Sequence, residues 1–133
     1  MSRLASKIEA ANAALLAKGG VDAVGQFFAP DYVAHGTGKG MAGHGAIRRF
    51  VGMYRRAFPD LRFRVEILVE AKDRVAWHRT IRATHKGDFK GFPASGRRIV
   101  WRDMVISRFR DGLIAEDWVI TDLAERLLLA RKR

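Results

Sequence analysis

Apolar residues recur at helical spacing in the first half of the chain and at every other position in the second half. Leu4, Ile8, Ala11 and Leu15 form one stripe of a helix, and Ser6 with Glu9 has the spacing of a capping box. Gly19-Gly20 ends that helix. Asp22 is expected to cap a short second helix carrying Val24, Phe27 and Phe28, which Pro30 stops. A brief extended piece, Asp31 to His35, leads into a loop with five glycines between Gly36 and Gly45. Ile47, Phe50, Val51, Tyr54 and Phe58 define a third amphipathic helix closed by Pro59. Its opposite face holds Arg48, Arg49, Arg55 and Arg56, a solvated face or an anion site.

After Asp60 the period becomes two. Leu61, Phe63, Val65, Ile67 and Val69 alternate with polar residues as in a half-buried strand. Further strands are predicted over Val75 to His85, Ile99 to Phe109 and Leu113 to Thr121. Asp111-Gly112 is a hairpin signal between the last two. Leu123, Arg126, Leu127 and Leu129 suggest a terminal helix. Helices followed by an antiparallel meander make an α+β fold, with helices on one sheet face and a cavity beneath them. One domain over residues 1–133 is expected from the length.

Strand parity nominates the wall of that cavity. Val75, Trp77, Arg79, Ile81, Ala83 and His85 share one face of the second strand. Trp101, Asp103, Val105 and Phe109 share one face of the third, and Trp118, Ile120 and Asp122 one face of the fourth. Each set is largely apolar with a tryptophan and a polar group, which describes a ligand pocket. The alternative is that the tryptophans are core and the charged residues lie at wet strand ends.

Composition narrows the classes. No apolar stretch is long enough to span a bilayer, and the N-terminus lacks an apolar signal core, so membrane and export are not expected. With no cysteine there is no disulfide and no thiolate chemistry, in keeping with a cytoplasmic location. The net charge of +11 is the unusual bulk property. The basic residues are spread along the chain, with one run at Arg131-Lys132-Arg133, so nucleic acid is not the expected partner.

Three motifs invite other readings. Gly38, Gly40 and Gly43 spell G-x-G-x-x-G before a helix, but a dinucleotide site needs a buried parallel strand ahead and βαβ units behind. His35, His44, His78 and His85 form no metal-binding spacing, and His78 and His85 fall on opposite strand faces, so no metal is expected. Ser95 and Ser107 sit in no nucleophile elbow.

A set of short segments then carries a resemblance. Phe28-Ala-Pro-Asp-Tyr-Val-Ala-His35, Ala57-Phe-Pro-Asp-Leu61, Asp73-Arg-Val-Ala76, Thr84-His85-x-Gly87, Gly91-x-Pro93-x-x-Gly96-Arg97, Arg108-Phe-Arg-Asp-Gly112 and Glu116-x-Trp118-x-x-x-Asp122 resemble, in order, the SnoaL-like polyketide cyclase family. The resemblance implies an NTF2-like cone, a curved antiparallel sheet with N-terminal helices enclosing a pocket, and a homodimer through the outer sheet face. It implies intramolecular aldol or proton-transfer chemistry on an apolar carbonyl compound, without metal or cofactor. Asp122 is then the general acid/base, and His35 and His85 are donors or shuttles, or else hydrogen-bonding partners that tie loops to the sheet. Phe28 and Tyr32 join Trp77, Arg79, Trp101, Asp103 and Trp118 as expected substrate contacts. The chain departs from the pattern at Asp117, where many relatives have His, at Ala83 for Gly, at His78 for Arg, and in lacking a Gln-Leu-Gly ending. Rival readings are a non-catalytic binding module and a ketosteroid-isomerase-like or epoxide-hydrolase-like enzyme on the same scaffold.

Overall fold

A computed structural model describes residues 2–36 and 40–131. The glycine-rich decoy falls partly outside them, at Gly38. Helix α1 (Arg3–Asn12) runs on through a π-helical turn, Ala13–Ala17, and buries Ala5, Ile8, Ala11, Leu15 and Leu16. Its cap is Ser2, whose Oγ accepts the Ala5 N–H at 3.0 Å, so the expected Ser6–Glu9 box lies inside the helix instead. A 3₁₀ turn (Val21–Ala23) contains Asp22, which therefore does not cap the short α2 (Val24–Phe27).

Strand β1 (Phe28–His35) starts earlier than expected and takes in Phe28 and Pro30. Its pairing with the neighbouring strand shifts register between Phe28 and Val33, where a proline without an N–H can be accommodated. After β2 (Met41–Ala42) comes α3 (Gly43–Ala57), which buries Ile47, Val51, Tyr54 and Ala57 along one stripe. Four long strands follow: β3 (Arg62–Ala71), β4 (Arg74–Thr84), β5 (Arg98–Arg110) and β6 (Leu113–Thr121), then α4 (Leu123–Arg131). The β5–β6 hairpin turns on Asp111 and Gly112, both left-handed at φ 55° and 77°, as an Asp-Gly turn requires. No helix is long and apolar enough to cross a membrane among the described residues.

The six strands form one curved sheet in the order β2-β1-β6-β5-β4-β3. β3 to β6 make the expected antiparallel meander, whereas β1 lies parallel to β6. Burial along β5 alternates strictly, with Ile99, Trp101, Asp103, Val105, Ser107 and Phe109 inward. The matching inward set on β4 is Val75, Trp77, Arg79, Ile81 and Ala83.

β6 breaks the simple alternation. Arg108 pairs with Glu116 but Phe109 pairs with Ile114, so Ala115 is an extra residue in β6. This bulge reverses the phase beyond it. Asp117, Val119 and Thr121 oppose the inward Ser107, Val105 and Asp103, while Trp118 and Ile120 face outward. The expectation that Trp118, Ile120 and Asp122 face the pocket is thereby corrected.

Candidate functional site

Helices α1 and α3 span the inner sheet face and leave a cavity of about 430 Å³. Ile8, Leu15, Val51, Phe50, Val105 and Leu127 supply apolar walls. Into this wall β1, β4, β5, β6 and α1 insert two polar clusters, whose positions follow from strand register.

The first is centred on Asp117, which is 8% exposed. Tyr32 donates its hydroxyl to Asp117 Oδ2 at 2.6 Å, and Ser107 donates to Oδ1 at 2.5 Å. Trp77 Nε1 in turn donates to Ser107 Oγ at 3.0 Å, which leaves the serine proton for the carboxylate. Burial raises the pKa of Asp117, against the Ser107 and Tyr32 hydrogen bonds and the Arg79 charge, all of which favour the anion. Burial and the Asp117 charge push the Tyr32 phenol well up, so it remains a donor.

The second cluster is an ion pair. Arg79 Nε and Nη2 both donate to Asp103 Oδ2, at 2.9 and 2.7 Å, and Nη1 donates to Asn12 Oδ1 at 2.8 Å. Asn12 is anchored in α1 by donating Nδ2 to the Ile8 carbonyl at 2.9 Å. Burial opposes the guanidinium charge, but Asp103 and other nearby groups outweigh it and the Arg79 pKa is raised. Tyr54 also lines the cavity; burial and then Asp103 push its phenol far up, so it too stays protonated.

An apolar cavity holding two phenols and two buried carboxylates, one of them paired with a guanidinium, suits proton transfer to and from a small carbonyl compound. The family model described as SnoaL-like polyketide cyclase matches residues 7–128. The chain belongs to that family.

Solved structures similar to this SnoaL-like protein include a candidate polyketide cyclase from Acidithiobacillus ferrooxidans, with TM-score 0.84 and 25% identity over 98% of this chain and 96% of that one. AclR from Streptomyces galilaeus, described as a candidate hydroxylase, gives 0.81 and 27% over 98% and 85%. IdmH from Streptomyces antibioticus, described as a candidate polyketide cyclase, gives 0.79 and 26% over 99% and 100%. No curated protein sequence matches significantly.

Within the SnoaL-like cone the structure sorts the expected site residues. Phe28, Tyr32, Trp77, Arg79 and Asp103 all line the cavity. Trp101 does not; it is fully buried behind Tyr54 and Phe58, with ring centroids 6.0 and 4.8 Å away. Trp118 lies on the outer face, stacked on His35 at 5.5 Å with the Arg74 guanidinium 5.2 Å from its ring. His35 borders the cavity, but its Nε2 is 2.6 Å from Glu116 Oε2, in an exposed hydrogen bond.

His85 is buried at 1% exposure outside the cavity wall, with Nδ1 3.3 Å from Ser95 Oγ. Burial lowers its pKa and favours the neutral ring. Asp122 is also placed outside the cavity wall. Its Oδ1 accepts the Arg102 N–H at 2.9 Å, and its Oδ2 accepts from Arg126 Nε at 3.2 Å with the side chain one-third exposed. It ties β5 to the start of α4, so the expectation that Asp122 faces the pocket is corrected.

Sequence reasoning missed Asp117, Ser107 and Asn12. Ser107 has the parity of the inward β5 set, and Asn12 follows Ile8 by four on the apolar stripe of α1. Both were legible. Asp117 was visible only as a departure from the family histidine, because the bulge at Ala115 hides its phase.

Proposed function

We propose that this protein is a cofactor-independent cyclase or isomerase of the SnoaL-like type, acting on an apolar carbonyl compound, with Asp117 rather than Asp122 moving the proton. The observation that supports this reading is a buried carboxylate on the wall of an apolar cavity, held between two hydroxyl donors. Ionised Asp117 takes a proton from the carbon next to a carbonyl; the C–H electron pair becomes the enolate. Arg79 and Tyr54 supply a cation and a donor to the oxygen that gains charge. In an aldol closure the enolate carbon bonds to a second carbonyl carbon, and the resulting alkoxide takes the proton back from Asp117. In an isomerisation the proton returns to a different carbon. Either path leaves Asp117 as it began.

Exchange of the methyl protons of 2-acetonaphthone in D₂O, followed by NMR, tests the proton-transfer step without knowledge of the natural substrate. Wild type is expected to accelerate exchange. Asp117→Asn should lose roughly 10²–10⁴-fold of that acceleration, while Asp122→Asn keeps it. Exchange at the wild-type rate in Asp117→Asn, with loss in Asp122→Asn, would return the base role to Asp122. Tight binding with no acceleration by wild type would leave a small-molecule binding module.

A further inference from the structure

Beside the cavity lies a more open groove of about 500 Å³, bordered by Arg48, Arg49, Arg56 and Lys90. The two share Met41, Phe50 and Lys90 in their linings and so adjoin. The stretch from Gly36 to Phe58 carries five basic residues and no acidic one, which concentrates part of the +11 charge here. One of the five, Arg55, is engaged within the fold, where its Nη1 donates to the Leu16 and Ala17 carbonyls at 2.6 and 3.0 Å. Arg48, Arg49, Arg56 and Lys90 are exposed, and among the described residues none is in an ion pair.

Two local features hold the cations at this edge. Gly45 and Gly52 each stand one turn before Arg49 and Arg56, and a Cβ on either would lie 3.3 Å from the following guanidinium nitrogen. The guanidiniums therefore lie along the helix where glycine leaves room, although glycine inside a helix is disfavoured relative to alanine. Lys90 is left-handed at φ 45°, at the tip of a turn bridged by Phe89 and Phe92, which both line the cavity. Clustered cations repel one another in the free protein, and an anion placed among them removes that repulsion.

We propose that this groove binds an anionic group, a carboxylate or a phosphate, on the ligand whose apolar body fills the cavity. The charge distribution orients such a ligand. At the inner wall Arg79 is already paired with Asp103 and Asp117 is a further carboxylate, whereas the four cations outside have no ion-pair partner among the described residues, so the anionic end stays at the groove and the apolar carbonyl-bearing end enters first. The proposal rests on the cavity being the ligand site, but not on the chemistry of Asp117.

Three matched probes test it through quenching of tryptophan fluorescence, since Trp77 lines the cavity. They are 4-(2-naphthyl)butanoate, its neutral methyl ester, and 3-(2-naphthyl)propylphosphonate. Both anions are expected to bind about tenfold more tightly than the ester at low salt, the summed effect of several partly exposed charge pairs. The better of the two identifies the headgroup. This advantage should vanish in the triple variant Arg48→Gln, Arg49→Gln, Arg56→Gln, none of which lines the cavity, with ester affinity unchanged. It should also collapse as ionic strength rises from about 0.01 to about 1 M, where screening shortens from about 30 to about 3 Å. A control variant, Arg3→Gln, Arg97→Gln, Arg131→Gln, removes the same charge elsewhere. Equal affinity of acid and ester in wild type, or equal loss in the control, would overturn the groove while leaving the cavity reading intact. No quenching by any probe would remove the cavity reading and the groove with it.

Discussion

Asp117 owes its properties to burial, which acts against three neighbours, Ser107, Tyr32 and Arg79, that all favour the anion. Desolvation favours its neutral form, whereas hydrogen bonds from Ser107 and Tyr32 favour the anion, with burial prevailing. A base works only when ionised, so the acid limb of a rate–pH profile for wild type is expected above the ordinary Asp value of 3.8. Tyr32→Phe removes one anion-stabilising donor and should move that limb to still higher pH. Ser107→Ala should shift it the same way. The profile of 2-acetonaphthone exchange against pH reads both; a limb that stays in place or moves to lower pH in Tyr32→Phe would take the titration away from Asp117. The same shift has a sign for stability. Because the folded pKa lies above the unfolded one, folding favours the protonated form, and this contribution fades as pH rises through the raised value.

At the scale of elements, the site depends on how the β4–β5 loop docks on α3. The Lys86 and Gly87 N–H groups both donate to the Ala57 carbonyl, at 2.9 and 3.1 Å, and so finish the end of α3. Gly87 comes so close that a Cβ there would lie 2.6 Å from the Arg56 carbonyl oxygen. The glycine of the Thr84-His85-x-Gly87 segment is thus required by contact with backbone, which cannot yield as a flexible side chain would. Gly87→Ala is expected to destabilise the fold by about 1–3 kcal/mol, the usual range for overpacking, measured by urea denaturation. A smaller loss would mean that the loop adjusts without strain. His85 belongs to the same joint: its N–H donates to the Arg97 carbonyl at 2.9 Å, and its ring lies 5.5 Å from that of Phe58. This geometry is that of a residue tying a loop to the sheet.

Across the whole molecule, the two sheet faces differ in kind. The inner face is closed by helices, while the outer face leaves Val100, Met104, Ile106 and Ile120 exposed, Ile120 at 66%. Exposed apolar residues clustered on a sheet mark an association surface more often than a solvated one. We expect a homodimer through this face, in which the mixed apolar and arginine surface of β5 meets a second copy. Light scattering should give twice the chain mass of 15.0 kDa. The double variant Met104→Glu, Ile106→Lys should shift it to monomer while the cavity, on the opposite face, still binds the naphthyl ester. A wild type that scatters as monomer would remove the dimer and leave the site intact.

The sequence by itself determined the α+β class, the order of helices and strands, the hairpin at Asp111-Gly112 and the inward faces of β4 and β5. Each follows from local information: a period of 3.6 or 2, a turn residue, a proline. Phe28, Tyr32, Trp77, Arg79 and Asp103, expected as substrate contacts, line the cavity. Only the tertiary structure decided whether Asp117 or Asp122 enters it. A single extra residue, Ala115, reverses the phase of β6, and a bulge is defined by pairing with the neighbouring strand rather than by anything local to the chain. That reversal exchanges Asp122 for Asp117 and turns Trp118 outward. The partners of Asp117 come from Tyr32, 85 residues earlier, and Ser107, ten residues earlier. Contacts of that separation exist only once the sheet has formed, which is why the wall of the pocket was legible in the sequence and its chemistry was not.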